Sequence, residues 1–454
     1  MSDKNRTSNT SGQSQAANKT NSSDWSRRRI LGTAAAGVGA LAIGGCSGIQ
    51  RTQAVKCSDY GSKVAPSPGS RVLGANDRIL LGIIGSGGMG RHHIKSILDR
   101  KENNCEFIAV CDINEANRKT AVEMCGGKVK SFNEHEDLLK MKEIDGVVIA
   151  SPDFWHSRHL IDSVMAGKDA YCEKPMSYSI PDGANMVKQV RRTDRIVQIG
   201  MQRRSTPSVI EAKQIVDSGF LGEVSLVRAE WYWNMGDLPK PEDMKLGKVD
   251  WERFQAPLPP EKRYPMNPVK YCFWRYFWEY SGGNMTDQGT HLMDVIQWLF
   301  NDSKPPVAAQ EHGAAYQIKG YETPDTFCAV FEYPKFMATW TLTYTNNWHD
   351  AWSIIAHGRK GTLEIDDKGA RFYKEKWPAN WEEYPPEPEH EISSPLRVDL
   401  HEANWLECMR TRKQPNAPVE IGHQAVSALH LANAAHHAKK RATLDPDGMT
   451  VRIP

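Results

Sequence analysis

From residue 77 onward, short apolar runs alternate with helix-length amphipathic stretches. "ILLGII" (Ile79 to Ile84) reads as a strand buried on both faces, followed by the glycine-rich "GSGGMG" and the amphipathic "RHHIKSILD". "FIAVCD", "DGVVIAS", "DAYCE" and "IVQIG" repeat the apolar theme, separated by "INEANRKTA", "WHSRHLIDSVMAG" and "IPDGANMVKQVRR". Continuous apolar strands with amphipathic crossovers predict a doubly wound parallel sheet covered by helices on both sides. After about residue 220 the rhythm changes. "EVSLVRAEWYW", "AAYQIKGY", "TFCAVFEY", "FMATWTLTYT", "WSIIAHG" and "GTLEID" are strand-like, several joined by short turns, which predicts an α+β half with a mainly antiparallel sheet. The fold class is therefore α/β with a Rossmann-type first half.

The pattern is absent at the start. Residues 1–24 are rich in Ser, Asn, Thr and Gln and carry too few apolar groups to fold. Then comes "SRRRILGTAAAGVGALAIGGC", in which Ser26, Arg27, Arg28, Arg29, Ile30 and Leu31 resemble a twin-arginine export signal and Gly32 to Gly45 supply its mild apolar region. "AIGGC" is similar to a lipoprotein cleavage site, making Cys46 the expected lipid anchor; a signal cut nearby without a lipid is the other reading. The expected organisation is a signal over 1–46, a flexible linker over 47–75, a nucleotide domain over 76–200 and a substrate and oligomerisation domain over 201–454. Export would place the protein in the periplasm or on a membrane as a lipoprotein.

Length and charge narrow the classes. At 454 residues two domains fit. A net charge of +2 with no long basic run in the body argues against nucleic acid. Nine cysteines lack CxxC pairs or Cys/His spacing, so neither a zinc site nor a disulfide framework is indicated; Cys111 and Cys172 fall in strands as small buried hydrophobes, and an isolated disulfide stays open if the protein is exported. The doublets His92-His93 and His436-His437 would project about 100° apart on a helix, so they read as surface and no metal site is expected.

Chemistry enters at the glycine turn. Gly85, Gly87 and Gly90 make G-x-G-x-x-G directly after a strand, with Gly88 and Met89 between them. The first glycine suits a tight turn, the second lets backbone approach a pyrophosphate, and the third allows close helix–strand packing. Asp112, at the end of the next strand, would bond the adenosine ribose hydroxyls and repel a 2′-phosphate, favouring NAD over NADP; it also suits a helix cap. Ligands in such sheets sit at the carboxyl ends of the strands, where Ser151-Pro152, Glu173-Lys174-Pro175 and Gln202-Arg203-Arg204 occur.

Five segments in order, "GIIGSGGMG", "VCDIN", "ASPDFWHSRHLIDSVMAGKDAYCEKP", "QIGMQRRSTPSVIEAKQIVDSGFLGEV" and "GGNMTDQGTHLMDVIQWL", make residues 77–440 resemble the Gfo/Idh/MocA oxidoreductases. The resemblance implies an open sheet in the second half, homo-oligomers formed through it, and oxidation or reduction of sugars, inositols and their derivatives. It maps catalytic roles onto Lys174, Asp287 and His291, and places His156 near the nicotinamide. Ser151, Pro152, Glu173 and Lys174 join the expected cofactor site, Lys174 in addition to its catalytic role. On a helix, Asp287 and His291 would share a face, the carboxylate orienting an imidazole that takes the hydroxyl proton. Lys174 would donate to the sugar oxygen. Arg203, Arg204 and Asp294 are candidate substrate contacts or structural residues.

An aromatic, proline-rich insert, "WYWNMGDLPKPEDMKLGKVDWERFQAPLPPEKRYPMNPVKYCFWRYFWEYSGG", offers Trp233, Tyr271, Trp274, Tyr276 and Trp278 for stacking on a sugar ring, with Tyr344 and Trp348 as a second cluster. Aromatics equally fill cores and interfaces. The first functional expectation is an exported oxidoreductase with tightly bound NAD acting on a sugar or glycoside hydroxyl, C3 being plausible. The alternatives are a redox-neutral glycosidase or epimerase that borrows hydride and returns it, and a non-catalytic sugar binder.

Overall fold

The computed structural model describes residues 74, 77–244, 246–347, 351–376 and 387–454. The export-type segment, Cys46, nearly all of the linker and Trp348 lie outside the described residues. In the first half, β1 (Ile79–Ile84), β2 (Cys105–Cys111), β3 (Lys130–Phe132), β4 (Gly146–Ile149), β5 (Asp169–Cys172) and β6 (Val197–Ile199) form one sheet in the order β3-β2-β1-β4-β5-β6. Every pair is parallel. The crossovers are α1 (Gly88–Asp99), α2 (Glu115–Met124), α3 (His135–Leu139), α4 (Asp153–Met165) and α5 (Ile180–Val190).

The apolar runs are continuous because both faces are covered. Val147 and Ile149 of β4 pack with Leu160, Val164 and Met186 from α4 and α5, while Val148 between them joins Ile94 and Ile97 of α1 on the other side. A strand with one wet face could not place three successive apolar side chains out of water.

The second half contains α6 (Pro207–Asp217), β7 (Val224–Tyr232), the short helices α7 (Trp251–Phe254), α8 (Pro268–Cys272) and α9 (Gly283–Asp287), and α10 (Gly289–Phe300). There follow β8 (Ala308–Ala314), β9 (Thr326–Glu332), β10 (Met337–Thr343), β11 (Ala351–Gly358), β12 (Gly361–Asp366), β13 (Gly369–Lys374) and β14 (His390–Ser393), then α11 (Val398–Thr411), α12 (Val419–Ala438), β15 (Ala442–Leu444) and β16 (Val451–Arg452). The ten-stranded order is β14-β13-β12-β11-β7-β10-β9-β8-β15-β16. Only β7 and β10 run parallel among the described pairs of this sheet. One face is buried: Phe327, Ala329 and Phe331 of β9 and Trp340 and Leu342 of β10 pack with Leu292, Met293, Leu429 and Ala432 of α10 and α12. On the alternate positions Arg228 and Cys328 are exposed.

β3, β8 and β13 to β16 are not among the expected strands, and two further features depart from the sequence reading. "AAYQIKGY" is not a strand beyond its first residue; β8 precedes it, because the Asp325 carboxylate accepts from the backbone N–H groups of Tyr316, Gln317 and Ile318 and curls that segment into a loop. The chain after 201 also does not stay in the second half. Trp405, Leu406 and Met409 of α11 enter the core under β1, and α12 contributes Val426 to one core and Leu429 to the other.

Candidate active site

A cleft of about 350 Å³ lies along the carboxyl ends of β1, β2, β4 and β5. The glycine turn forms one wall, and each glycine has its own reason. Gly85 has φ +86° and a Cβ there would sit 2.7 Å from Ser151 N, so only glycine fits the turn. Gly87 and Gly88 face open space, as backbone that must admit a ligand would. Gly90 lies behind the cleft, where a Cβ would be 2.1 Å from the Gly85 carbonyl oxygen. The N-terminus of α1 carries no acid in its first turn, which leaves its backbone N–H groups and dipole available to an anion. Met89 lines the same wall.

Asp112 closes the β2 edge. Its carboxylate accepts from Ser86 N at 2.7 Å, Ser86 Oγ at 3.1 Å and Asn114 N at 2.7 Å, so about one of its four or so acceptor positions is left for a ligand. Burial raises its pKa, and these hydrogen bonds oppose the rise. The helix cap on α2 belongs instead to Asn114, which accepts from Ala116 N and Asn117 N. An Asp112→Ser variant is expected to raise affinity for NADP relative to NAD by about tenfold or more, one step of roughly 1.4 kcal/mol. Fluorescence titration with both reduced cofactors measures it; an unchanged ratio removes the ribose role.

Ser151 and Pro152 line the cleft after β4, and His156 lies one turn into α4. Its ring is held between two carbonyl oxygens, Pro175 O at 2.8 Å and Ser151 O at 2.7 Å, so it ties the ends of β4 and β5 together. Glu173 borders the cleft, yet its carboxylate is engaged by His93 Nε2 at 2.9 Å, Lys174 N at 3.1 Å and Gln202 Nε2 at 3.2 Å, which makes it an internal anchor more than a cofactor ligand.

Lys174 joins the cleft to the second half. Its Nζ donates to Asp287 Oδ1 at 2.6 Å and to the Asp287 carbonyl at 3.0 Å, and Arg275 Nε stands 3.3 Å from the same carboxylate oxygen. Burial alone would raise the Asp287 carboxyl; Lys174 and Arg275 outweigh it and hold the group well below the usual carboxylate range. Here the expected helical pairing changes. Gln288 separates α9 from α10 while keeping helical dihedrals (φ −82°, ψ −35°), so the spacing survives, but the Asp287 carboxylate is engaged by Lys174 and Arg275 instead of by His291. His291 Nδ1 is buried with no hydrogen-bond partner. Burial, then Lys174 and Arg203, push the His291 pKa well below its ordinary value, so the ring is neutral.

Several candidate substrate contacts lie elsewhere. Arg204 donates to Asp294 at 2.7 Å and to Ser303 at 2.9 Å, and all three are buried, so Arg204 and Asp294 form an internal ion pair outside the cleft. Arg203 is buried with its guanidinium 3.4 Å from the Trp352 ring centroid, facing His291 electrostatically. Tyr276 stacks on Tyr321 at 3.8 Å and is core. Trp278 packs on His437 away from the cleft, and the exposed Trp233 meets Tyr344 edge-on. Trp274 and Tyr271 do line the cleft.

Of the histidine doublets, His92 is exposed but His93 is fully buried between Glu173 and Glu402, so the expectation of two surface histidines is corrected for His93. His436 is half-buried and paired with Glu311, and His437 is exposed. The seven described cysteines are free, Cys111 and Cys172 being buried. His135, Glu136 and Asp162 come together, but Arg253 and Arg158 already neutralise the carboxylates.

Sequence reasoning missed Arg275, hidden in the aromatic run "FWRYFW", and Asp153. Asp153 is 2 % exposed, lines the cleft and accepts from Ser281 Oγ at 2.6 Å. Burial, then Asp287, raise its pKa to about 7.

Comparison with known proteins agrees with this arrangement. Residues 79–201 match the family model described as oxidoreductase family, NAD-binding Rossmann fold, and residues 253–364 match the GFO/IDH/MocA C-terminal domain. Glucose-6-phosphate 3-dehydrogenase of Bacillus subtilis is 27% identical over 220 residues, 48% of this chain and 53% of the relative. Inositol 2-dehydrogenase of Rubrobacter xylanophilus is 32% identical over 162 residues, 36% and 46% respectively. The matched region thus spans about half the length of the curated relatives. Among solved structures, the WlbA dehydrogenase from Bordetella pertussis in complex with NADH and UDP-GlcNAcA superposes with TM-score 0.62 at 20% identity, over 82% of this chain and 99% of that one. Levoglucosan dehydrogenase in complex with NADH and levoglucosan gives 0.63 at 16% identity, over 81% and 99%. At those identities the likeness speaks to the fold. With the two family models together matching just over half of its length, the chain belongs to the GFO/IDH/MocA oxidoreductases, and its first half is their NAD-binding Rossmann domain.

Proposed function

We propose that the protein oxidises a ring hydroxyl of a sugar or glycoside, with C3 the position in view, using NAD held in the cleft. The observation that carries this is the junction at Lys174: a side chain in the cleft wall, fixed by Asp287, with a neutral His291 one turn further on. The relatives' names point the same way, to dehydrogenation at ring carbons of glucose 6-phosphate and inositol.

The residues present fit the cofactor. The open backbone at Gly87 and Gly88 and the α1 N-terminus would hold its pyrophosphate, and Asp112 a ribose. When bound, NAD supplies the hydride acceptor. The chain's own groups do the rest. Lys174 donates a hydrogen bond to the substrate oxygen and stabilises the charge that develops there. His291 takes the hydroxyl proton, its neutrality enforced by burial and by Lys174 and Arg203. Asp287 and Arg275 fix the position of Lys174. Trp274, which lines the cleft next to Arg275, offers aromatic surface to the apolar face of a sugar.

The proposal includes export through the Ser26 to Leu31 signal, a lipid anchor at Cys46, and assembly with further copies through the uncovered face of the ten-stranded sheet. The test is a panel of sugars and glycosides incubated with holoprotein, following both NADH absorbance and product mass. A product two hydrogens lighter, formed with NADH, is the expected result. Turnover with no net NADH would favour the redox-neutral glycosidase or epimerase cycle. Binding without any product would leave a sugar-binding protein.

A further inference from the structure

The cleft has a second wall that the Rossmann half does not supply. It comes from the insert between β7 and α9, from Lys248 to Arg275, which crosses back over the nucleotide half. Backbone pairing starts it: Glu115 N donates to the Lys248 carbonyl at 3.0 Å, Asp250 N donates to the Ile113 carbonyl at 3.1 Å, and Val249 bridges to Asn114. These bonds fall on the loop directly after Asp112, the ribose end of the site. Asp250 then fastens the turn twice, accepting from Asn133 Nδ2 at 2.9 Å and from Arg253 N at 3.0 Å, the second as the cap of α7.

Arg253 makes the next attachment. Its guanidinium meets Glu134 at 2.7 Å, His135 Nδ1 at 3.0 Å and Glu136, and lies 5.4 Å from the Trp155 ring. Trp155 Nε1 donates to the Phe254 carbonyl at 2.8 Å, and Phe254 is buried against Phe154 and Tyr280. Arg253, Phe254, Tyr271, Cys272, Trp274 and Arg275 all face the cleft opposite Gly87, Asp112 and Ser151. Tyr271 and Asp112 line the same cleft, so this wall reaches the ribose end, and burial, then Asp112, drive the Tyr271 hydroxyl pKa upward.

We infer that residues 248–275 form a strap over the adenosine half of NAD, with Arg253 and Tyr271 against the nucleoside, which turns the dinucleotide from an exchanging substrate into a resident group. This rests on the proposed NAD site and deepens it. A site bounded by two walls, one tied down by backbone pairs, an ion-pair cluster and an aromatic core, releases a long ligand only after those ties open, so the barrier appears in the off-rate. It also supplies what an exported oxidoreductase needs, since a cofactor that does not leave can travel inside the folded chain.

The experiment is an exchange chase on holoprotein. Protein loaded with NAD is mixed with excess isotope-labelled NAD, separated by rapid gel filtration at intervals and denatured, and the retained label is read by mass spectrometry. Wild type is expected to keep its original NAD through repeated separations. Asp250→Ala with Arg253→Ala should exchange about tenfold faster or more. Trp155→Phe, which removes the N–H donor to the Phe254 carbonyl together with part of the ring under Arg253, is the single-site variant if the double one does not fold. Wild-type exchange complete by the first separation overturns the strap and leaves the NAD site standing; failure to bind NAD at all removes the site itself.

Discussion

Replacing Lys174 by alanine is expected to lower kcat on the sugar substrate by about 100- to 1000-fold, the usual effect of losing one donor to a developing oxyanion, while NAD stays bound. The two halves of that result follow from geometry. Lys174 lines the cleft and its Nζ donates to Asp287, which Arg275, another cleft residue, also engages, so it stands where the cofactor wall meets the second half. Its backbone is fixed by the end of β5, and the glycine turn that would hold the pyrophosphate makes no use of its side chain. Truncation should therefore remove the stabilisation of the oxyanion and leave dinucleotide binding nearly intact. Single-turnover kinetics on purified holoprotein, with released NAD quantified in parallel, separates the two. A variant that keeps full turnover would end the assignment of Lys174 to the reaction, and one that loses both NAD and turnover would make it a cofactor residue.

How much of this was legible beforehand depends on the range of the interactions. Local signals read well. The G-x-G-x-x-G turn, the acid ending β2 and the five apolar strands obey rules that involve a few neighbouring residues, whereas β3, a short edge strand of polar Lys130 and Ser131 with Phe132, has no apolar run to announce it. Lys174 and His291 needed the family pattern, because nothing local distinguishes them. What the sequence could not express was partner choice across long separations. Arg204 and Asp294 look like substrate contacts until the fold brings them together across 90 positions. Asp287 is spaced to serve His291, yet two cations from elsewhere claim it. The insert read as a sugar platform, and part of it became the roof of the nucleotide cleft because backbone pairing with the loop after Asp112 has no side-chain signature.

His93 is the sharpest instance of that limit, and it carries the largest expected effect on stability. It is 0 % exposed, with Nε2 on Glu173 at 2.9 Å and Nδ1 on Glu402, which links α1, the end of β5 and α11. Burial works against its charge, but the hydrogen bonds it donates to Glu173 and Glu402 more than offset that and raise its pKa to about 10. Glu173 is correspondingly lowered from its usual value despite its burial. Removing the imidazole leaves two buried carboxylates facing each other without a cation, which costs about 3–5 kcal/mol. The sign with pH follows from linkage: the folded pKa lies above the unfolded one, so the stabilisation is fully present below about pH 6.5 and is lost as pH rises toward about 10. Urea denaturation of wild type and His93→Ala across that window should give a large gap at low pH that narrows as His93 gives up its proton. The same loss should loosen Glu173, the neighbour of Lys174, so kcat falls even where the variant remains folded. Equal stabilities with parallel pH profiles would mean that His93 is a neutral spacer, and that Glu173 is held by Gln202 and the Lys174 backbone alone.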